Sequence, residues 1–135
     1  MKILVCGSRL WTNRKAILRE LGKFPKGTIL VTGGNGEVDL DGNVTSGADL
    51  LAEDVGRQLG FEIRVYQADW MKYSKAAGPI RNREMIAKEH PDKDGAPINH
   101  GIAFSRAFIP SVCKGTLDCC SVMETAGIFV RRLTE

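Results

Sequence analysis

One stretch of the chain, Ala68 to Met85, concentrates side chains that are suited to bind a small anionic ligand. Its sequence, ADWMKYSKAAGPIRNREM, contains aromatic rings, positive charges and small residues that let a ligand approach the backbone. Pro79 suits the first turn of a helix, where its missing N–H costs nothing. A helix that begins near Gly78 would point unpaired N–H groups and a partial positive charge at whatever lies before it. The pattern predicts a phosphate site with Arg81 as its cation. The alternative is a loop-to-helix junction with a solvated basic face.

Length, composition and charge exclude several classes of protein. The 135 residues, 43% hydrophobic and 26% charged, predict one globular domain over residues 1–135. The net charge of +3 is too small to indicate nucleic-acid binding by itself. No apolar run approaches the roughly 20 residues that span a bilayer, and the first strand is too short for a signal peptide. We therefore expect a cytoplasmic protein with no membrane partner.

The cysteines form no C-x-x-C pair and no metal-ligand spacing; they are Cys6, Cys113, Cys119 and Cys120. Without an export signal they are most simply reduced thiols. A zinc site from Cys113, Cys119 and Cys120 with either His90 or His100 is the weaker alternative. We expect no metal and no cofactor.

Short apolar runs bounded by glycine alternate with segments of helical periodicity. The predicted strands span residues 2–6, 28–32, 61–66, 100–105 and 128–133. A polar connection is expected over residues 92–99. The helices are expected to begin at Thr12 or Asn13, at Ser46 with Asp49 in the first turn, near Gly78, and at Gly115.

This alternation predicts an α/β fold, a Rossmann-like three-layer sandwich with a five-stranded, mainly parallel sheet. Right-handed crossovers place every strand-to-helix turn at one edge of such a sheet, and open α/β sheets bind ligands at that edge. The turns gathered there contain Gly7-Ser8-Arg9, Gly33-Gly34, Ala68 to Arg81 and Gly115-Thr116. Tight turns alone do not require such a set of glycines with arginines, so the set favours a phosphate-bearing ligand.

Residues 35–46, NGEVDLDGNVTS, interrupt the alternation. Apolar residues flank Asp41-Gly42, which predicts a small hairpin that projects from the domain as a flap or insertion. The stretch is not interpreted as a calcium loop, because its glycine comes too early and no glutamate closes it.

Common nucleotide-binding and hydrolytic motifs are missing from the chain. Neither glycine turn completes G-x-G-x-x-G, and neither G-x-x-x-x-G-K-[ST] nor G-x-S-x-G occurs. His90 precedes a proline and His100 begins a strand, so we interpret each as a surface or edge residue.

Several pieces of the chain resemble, in their order, the SLOG superfamily of Rossmann-like domains and within it the small YspA/YpsA-related branch. The pieces are GSRLW at 7–11, VTGG at 31–34 with GAD at 47–49, ADW at 68–70, AAGPIRNREM at 76–85, and KGT at 114–116 with AGIFV at 126–130. AAGPIRN is the specific piece, and the resemblance covers nearly the whole chain. The branch usually runs from GG to GAD in a few residues, so the insertion at 35–46 is a departure. It implies a partly covered site, or a ligand that is larger or different.

The resemblance implies a nucleotide-derived ligand. The superfamily includes sensors of such ligands, the DNA-binding DprA proteins and the LOG enzymes, which cleave ribose phosphate from modified adenine nucleotides. LOG enzymes resemble this chain in an arginine four residues before a methionine, matched by Arg81 and Met85. Their G-T-x-x-E motif has a glutamate where this chain has Cys119, and a thiol cannot supply the carboxylate that N-glycosidic cleavage needs. The resemblance therefore supports the site and weakens the hypothesis of an enzyme.

We predict a sensor or sequestering protein that binds a nucleotide or nucleotide-derived molecule. The predicted ligand-binding residues are Gly7, Ser8, Arg9, Gly33, Gly34, Asp49, Trp70, Gly78, Arg81, Asn82, Gly115 and Thr116. Phosphate is assigned to Arg81, Gly115 and Thr116. For Asp49, capping of its own helix is expected over acceptance of a ribose hydroxyl. For Trp70, core packing is expected over a platform for a base.

Two other functions are open alternatives. One is a nucleotide N-glycosidase or phosphoribohydrolase in which Asp118 or Asp69 replaces the missing glutamate and Arg81 assists. The other is single-stranded nucleic-acid binding like that of DprA. The modest charge and the lack of aromatic residues interleaved along a basic groove argue against nucleic acid. We also expect that the chain can assemble as a homo-oligomer.

Overall fold

A five-stranded parallel sheet forms the centre of the molecule, in a computed structural model that describes residues 1–91 and 95–135. The strands are β1 (Lys2–Gly7), β2 (Ile29–Thr32), β3 (Glu37–Val38), β4 (Val44–Ser46), β5 (Glu62–Val65), β6 (His100–Phe104) and β7 (Val130–Leu133). The main sheet has the order β5-β2-β1-β6-β7, and every neighbouring pair is parallel. The predicted α/β fold is confirmed. Of the predicted polar connection over 92–99, residues 92–94 lie outside the described part of the chain.

Helices cover both faces of this sheet. They are α1 (Arg14–Leu21), α2 (Ala48–Gln58), α3 (Trp70–Tyr73), α4 (Ala77–Glu89) and α5 (Pro110–Thr125). Side chains alternate along β1, so Ile3 and Val5 pack in the cluster with α1 and α2, whereas Leu4 and Cys6 pack in the cluster with α4 and α5. Burial on both faces explains why the central strands are mostly apolar. Within residues 1–91 and 95–135, every helix is too short or too polar to span a bilayer.

The beginnings of α1 and α2 are held in different ways. The Asn13 Oδ1 accepts a hydrogen bond from the Ala16 N–H at 3.1 Å, so Asn13 caps α1. The predicted cap at Ser46 is wrong: this residue ends β4, and Gly47 occupies the N-cap with φ of 108° and no side-chain cap. Instead, the Ala48 N–H donates to the Ser8 carbonyl oxygen at 3.0 Å, in the turn after β1. The backbone thus satisfies the start of α2 and leaves the side chains of its first turn for other contacts.

The last helix begins earlier than the sequence predicts. Its hydrogen-bonded turns start at Pro110, but the backbone bends sharply at Cys113, where φ is −146° and ψ is 53°. Residues 114–125 follow as an uninterrupted helix, so Gly115 and Thr116 still lie in a first helical turn. Proline at the first position of Pro110–Thr125 explains the early start, because its fixed φ suits a helix.

The insertion at 35–46 contains the antiparallel pair β3–β4. Asp39 organises the tip, since its Oδ1 accepts from the backbone N–H groups of Asp41 and Asn43, each at 2.9 Å. These bonds also lower the pKa of Asp39, with the contribution of Asn43 the largest. Gly42 has φ of 83°, the left-handed conformation that such a turn needs.

Candidate functional site

A crevice of about 810 Å³ opens at the edge of the sheet where the parallel strands end. Its walls come from the turns after β1 and β2, from the segment around the start of α4, and from the first turns of α5. The neighbouring strands β1 and β6 continue in opposite directions across the sheet, to β2 and β7 respectively. The crevice therefore lies at a topological switch point, where open α/β sheets bind ligands.

The structure brings together nearly all of the predicted binding residues. Those that line the crevice are Gly7, Ser8, Arg9, Gly33, Asp49, Trp70, Gly78, Arg81, Asn82, Gly115 and Thr116. Gly34 is the exception, because it turns away with φ of 71°, and a Cβ there would lie 2.8 Å from the Val65 side chain. Its glycine is explained by backbone conformation and packing.

The turn after β1 owes its glycine to packing. A Cβ on Gly7 would lie 2.4 Å from the Phe104 carbonyl oxygen and 2.5 Å from the Ala48 Cβ. The Ser8 N–H donates to the same Phe104 oxygen at 2.9 Å, so the turn is tied to β6. Arg9 is exposed beside these residues, and within the described part of the chain it forms no ion pair. Gly7 and Ser8 build this wall, and Arg9 adds a free positive charge to it.

Arg81 is a buried cation held by neutral oxygens. Arg81 as a whole residue is only 7% exposed. Nη1 donates to the carbonyl oxygens of Gly33 at 2.6 Å and Tyr66 at 3.2 Å, and Nε donates to the Asn82 Oδ1 at 2.9 Å. Among the described residues, no carboxylate forms an ion pair with Arg81, and its Nη2 makes no hydrogen bond. Buried charges in proteins are normally paired, so the guanidinium leaves a positive charge to be matched from the crevice.

Asp118 is engaged away from the crevice. Its Oδ2 accepts from the Asn82 Nδ2 at 3.0 Å and from the Arg83 Nη1 at 3.2 Å. Asn82 thereby joins Arg81 to Asp118 and fixes the α4–α5 contact, although it also lines the crevice. The other carboxylate considered for hydrolysis, Asp69, is exposed and caps α3 through the Lys72 N–H at 3.1 Å. Neither carboxylate lies among the residues that line the crevice.

Asp49 lines the crevice and does not cap its own helix, contrary to the expectation from sequence. It is 3% exposed, and its Oδ2 accepts from the Asn35 N–H at 3.1 Å. Its Oδ1 is buried with no hydrogen-bond partner. Burial raises the pKa of Asp49 to about 7, although the Asn35 N–H and the charge of Arg81 act in the opposite direction. Asp49 is therefore the titratable group of the crevice near neutral pH.

Trp70 is 52% exposed and lines the crevice, so the expectation that it packs in the core is wrong. The reason is that Trp70–Tyr73 forms a separate short helix outside the sheet. Its ring passes 3.5 Å from the position that a Cβ on Gly78 would take. Trp70 thus presents an aromatic face beside the start of α4.

The two helix starts at the crevice differ in what they offer. At α4 the Ala77 N–H donates to the Ser74 carbonyl oxygen, and Pro79 has no N–H. The predicted set of unpaired amides at this start is therefore reduced. Beyond the bend at Cys113, Gly115 faces open space: a Cβ there would have nothing within 4 Å. The start of residues 114–125 is the more accessible of the two helix N-termini.

Sequence reasoning placed Cys119 beside the site but missed Cys6, the second thiol at the floor of the crevice. Cys6 and Cys119 line it, and both are buried and free, as is the adjacent Cys120. Contacts with Cys119 and then Cys120, together with burial, raise the pKa of Cys6 well above its ordinary value. The signal in the sequence was the alternation along β1, which places Cys6 on the α5 face. In the described ranges, no group of three or more His, Cys, Asp and Glu residues is placed to hold a metal ion.

Comparison with curated proteins finds a relative that matches nearly the whole chain. The chain is 30% identical to the Gene 61 protein of Mycobacterium phage D29 over 136 aligned positions, which cover 94% of this chain and 91% of that protein. No family model matches the chain.

Proposed function

This chain belongs to the same family as the Gene 61 protein of Mycobacterium phage D29, and we propose that it binds a phosphorylated, nucleotide-derived small molecule in the crevice. The supporting observation is Arg81, a buried guanidinium whose described partners are all neutral oxygens. Bringing such a charge out of water costs several kcal/mol unless an opposite charge meets it. A phosphate supplies that charge and accepts the hydrogen bonds that Nη2 still offers.

Further positive charge surrounds the mouth of the crevice. Arg9, Lys75 and Lys114 line it and are exposed, and none of them pairs with a carboxylate in the part of the chain that the structure describes. On the acidic side, the lining contains Glu37 and Asp49, the latter with a raised pKa. The excess of cations favours an anionic ligand.

Gly115 supports close contact between a ligand and the backbone. Glycine in a helix is less favourable than alanine by about 1 kcal/mol. Neither a left-handed φ nor a crowded Cβ position explains glycine here. Its N–H lies in the first turn of residues 114–125, where backbone amides bind phosphate. We assign Gly115 and Thr116 to the phosphate together with Arg81.

Trp70 is the residue that supports a nucleotide as the ligand. Its half-exposed ring beside Gly78 gives a flat surface on the wall of the crevice, and stacking on a base is a common use of such a ring. The aromatic ring, the cations and the glycines are also the pieces on which the resemblance to SLOG proteins rests. Membership of that superfamily, with a role as sensor or sequestering protein, is part of the proposal.

The same geometry favours binding over hydrolysis. Asp118 is held by Asn82 and Arg83, and Asp69 caps α3, so neither replaces the glutamate that LOG enzymes carry. Cys119 lines the floor as a buried thiol, which is a poor substitute for a carboxylate beside a sugar cation.

The test begins with native mass spectrometry of the purified protein, to detect a nucleotide carried through purification. Calorimetry with AMP, ADP and adenosine then measures affinity. We expect both phosphates to bind more tightly than adenosine and to quench tryptophan fluorescence. Trp11 is 2% exposed, so Trp70→Phe should remove the quenching. Equal binding of adenosine and AMP would contradict the phosphate site, and no binding of any of the three, with no nucleotide carried over, would overturn the proposal.

A further inference from the structure

We propose that the Oδ1 of Asp49 accepts a hydrogen bond from a sugar hydroxyl of the bound ligand, so that the crevice distinguishes a ribose from its deoxy counterpart. This inference rests on the proposed function and adds a residue that determines specificity. Its basis is the position of one unpaired, buried oxygen in the wall of the crevice.

The unpaired oxygen takes no part in the hydrogen bonds that hold the start of α2. Asp49 lies in the first turn of α2, but the start of that helix is held by the Gly47 N–H on the Trp11 carbonyl oxygen at 2.8 Å and by the Ala48 N–H on Ser8. The Asn35 N–H occupies the other carboxylate oxygen. Among the side chains of residues 1–91 and 95–135, the Asp49 Oδ1 is the one buried oxygen or nitrogen that has no hydrogen-bond partner. A buried acceptor in that state destabilises the fold, and a ligand donor would relieve that cost.

The position of Asp49 relative to Arg81 indicates which part of the ligand supplies the donor. Arg81 binds the carbonyl oxygen of Gly33, and Asp49 binds the N–H of Asn35, so the two side chains flank the same short turn after β2. If the phosphate lies on Arg81, the group that follows it in a nucleotide is the sugar, and the base lies farther away. The sugar hydroxyls are therefore the donors within reach of Asp49.

The charges around Asp49 suit a neutral donor. Arg81 faces it from α4, Glu53 lies one turn further along α2, and backbone N–H groups of Gly33 and Asn35 face it from the turn. A second phosphate next to this carboxylate would add like charge, whereas a hydroxyl donates a hydrogen bond without changing the net charge.

The test compares AMP with 2′-deoxy-AMP and 3′-deoxy-AMP by calorimetry. The unmodified protein should bind one of the deoxy compounds about 10-fold to 100-fold more weakly than AMP, the range for a hydrogen bond to a charged group. Asp49→Asn should reduce this preference, because a neutral amide replaces a charged acceptor and hydrogen bonds to charged groups are stronger than those to neutral ones. Asp54→Asn is the matched control, since it makes the same change on another carboxylate of α2, which pairs with Arg14 outside the crevice, and should keep the preference.

The outcomes separate this inference from the proposed function. Equal affinity for AMP and both deoxy compounds, with AMP bound, overturns the inference about Asp49 and leaves the phosphate site standing. No binding of AMP, ADP or adenosine by the unmodified protein, with no nucleotide carried through purification, overturns both. The ligand series on the unmodified protein decides the matter even if Asp49→Asn does not fold.

Discussion

Arg81 and Gly33 are 48 residues apart in the sequence and are joined by a hydrogen bond of 2.6 Å, from the guanidinium Nη1 to the carbonyl oxygen. This bond fastens α4 to the turn after β2, so the cation of the crevice is also part of its frame. A Cβ on Gly33 would lie 2.4 Å from the same nitrogen, so the contact requires glycine at that position. An arginine near a helix start is seldom part of the core, but Arg81 is buried and bound to the turn after β2.

Replacing Arg81 should lower both the stability of the fold and the affinity for the ligand. Arg81→Ala leaves the oxygens of Gly33, Tyr66 and Asn82 without their donor, and we expect the free energy of unfolding to fall by about 2–4 kcal/mol. AMP affinity should fall by about 1.5–3 kcal/mol. Urea denaturation and calorimetry measure the two effects.

Glu20→Gln is the control for loss of stability alone. Glu20 is 3% exposed in α1, on the opposite face of the sheet, and pairs with Lys23 at 2.9 Å and Arg131 at 3.3 Å. This variant should be less stable and should bind AMP normally. If Arg81→Ala binds AMP as tightly as Glu20→Gln does, Arg81 has no part in phosphate binding.

Gly115→Ala should raise the stability of the protein while it lowers the affinity for AMP. Nothing lies within 4 Å of the added Cβ, so alanine should stabilise the helix by about 0.5–1 kcal/mol. The methyl group would occupy the space through which a phosphate approaches the amides, so AMP affinity should fall. Thermal unfolding and calorimetry on the same sample test both signs. A variant that is more stable and binds normally would show that Gly115 lies outside the phosphate site.

Asp49 should make the ligand-free protein less stable as pH rises. Its pKa is raised from 3.8 to about 7 in the folded state, so between these values the unfolded chain has lost a proton that the folded chain keeps. The stability contributed by the neutral carboxyl is fully present below about pH 4 and is lost as pH rises through 7. The total is on the order of 4 kcal/mol.

Denaturant titrations of the unmodified protein and Asp49→Asn across pH 4–8 isolate this contribution as the difference between the two curves. Asparagine has no proton to lose and can still accept from the Asn35 N–H. Its curve should therefore fall less steeply. Parallel curves would mean that Asp49 titrates with an ordinary pKa.

The protein should not release free base from AMP. Cys119 stands where LOG enzymes carry a glutamate, and loss of such a group commonly costs 10²–10⁴-fold in rate, roughly the size of a general acid–base contribution. Chromatography of AMP and modified adenine nucleotides after incubation checks this. Rapid release that Asp118→Asn abolishes would identify an enzyme with a relocated carboxylate. Rapid release that Asp49→Asn abolishes would assign the reaction to the buried carboxyl instead.

The sequence alone determined the parallel sheet and the edge at which the crevice lies. Apolar runs such as ILVC at 3–6 and TILVT at 28–32, each stopped by glycine, are properties of a few consecutive residues. The parallel arrangement follows from their alternation with helices, and the gathering of the glycine turns follows from the handedness of the crossovers. These inferences need no knowledge of which side chains meet.

The tertiary structure decided the burial and the contacts of each residue that lines the crevice. Trp70 was expected in the core and is half exposed, because it belongs to a short helix outside the sheet. Asp49 was expected to cap α2, but the Ser8 carbonyl oxygen, 40 positions earlier in the chain, already holds that helix start. Arg81 was predicted to bind phosphate, and in the structure it also donates to the carbonyl oxygens of Gly33 and Tyr66. The local pattern of the sequence was enough to place a residue at the crevice. Its burial and its hydrogen-bond partners depend on segments that are distant in sequence, so only the packing of those segments fixes them. The unpaired oxygen of Asp49 is one result of that packing.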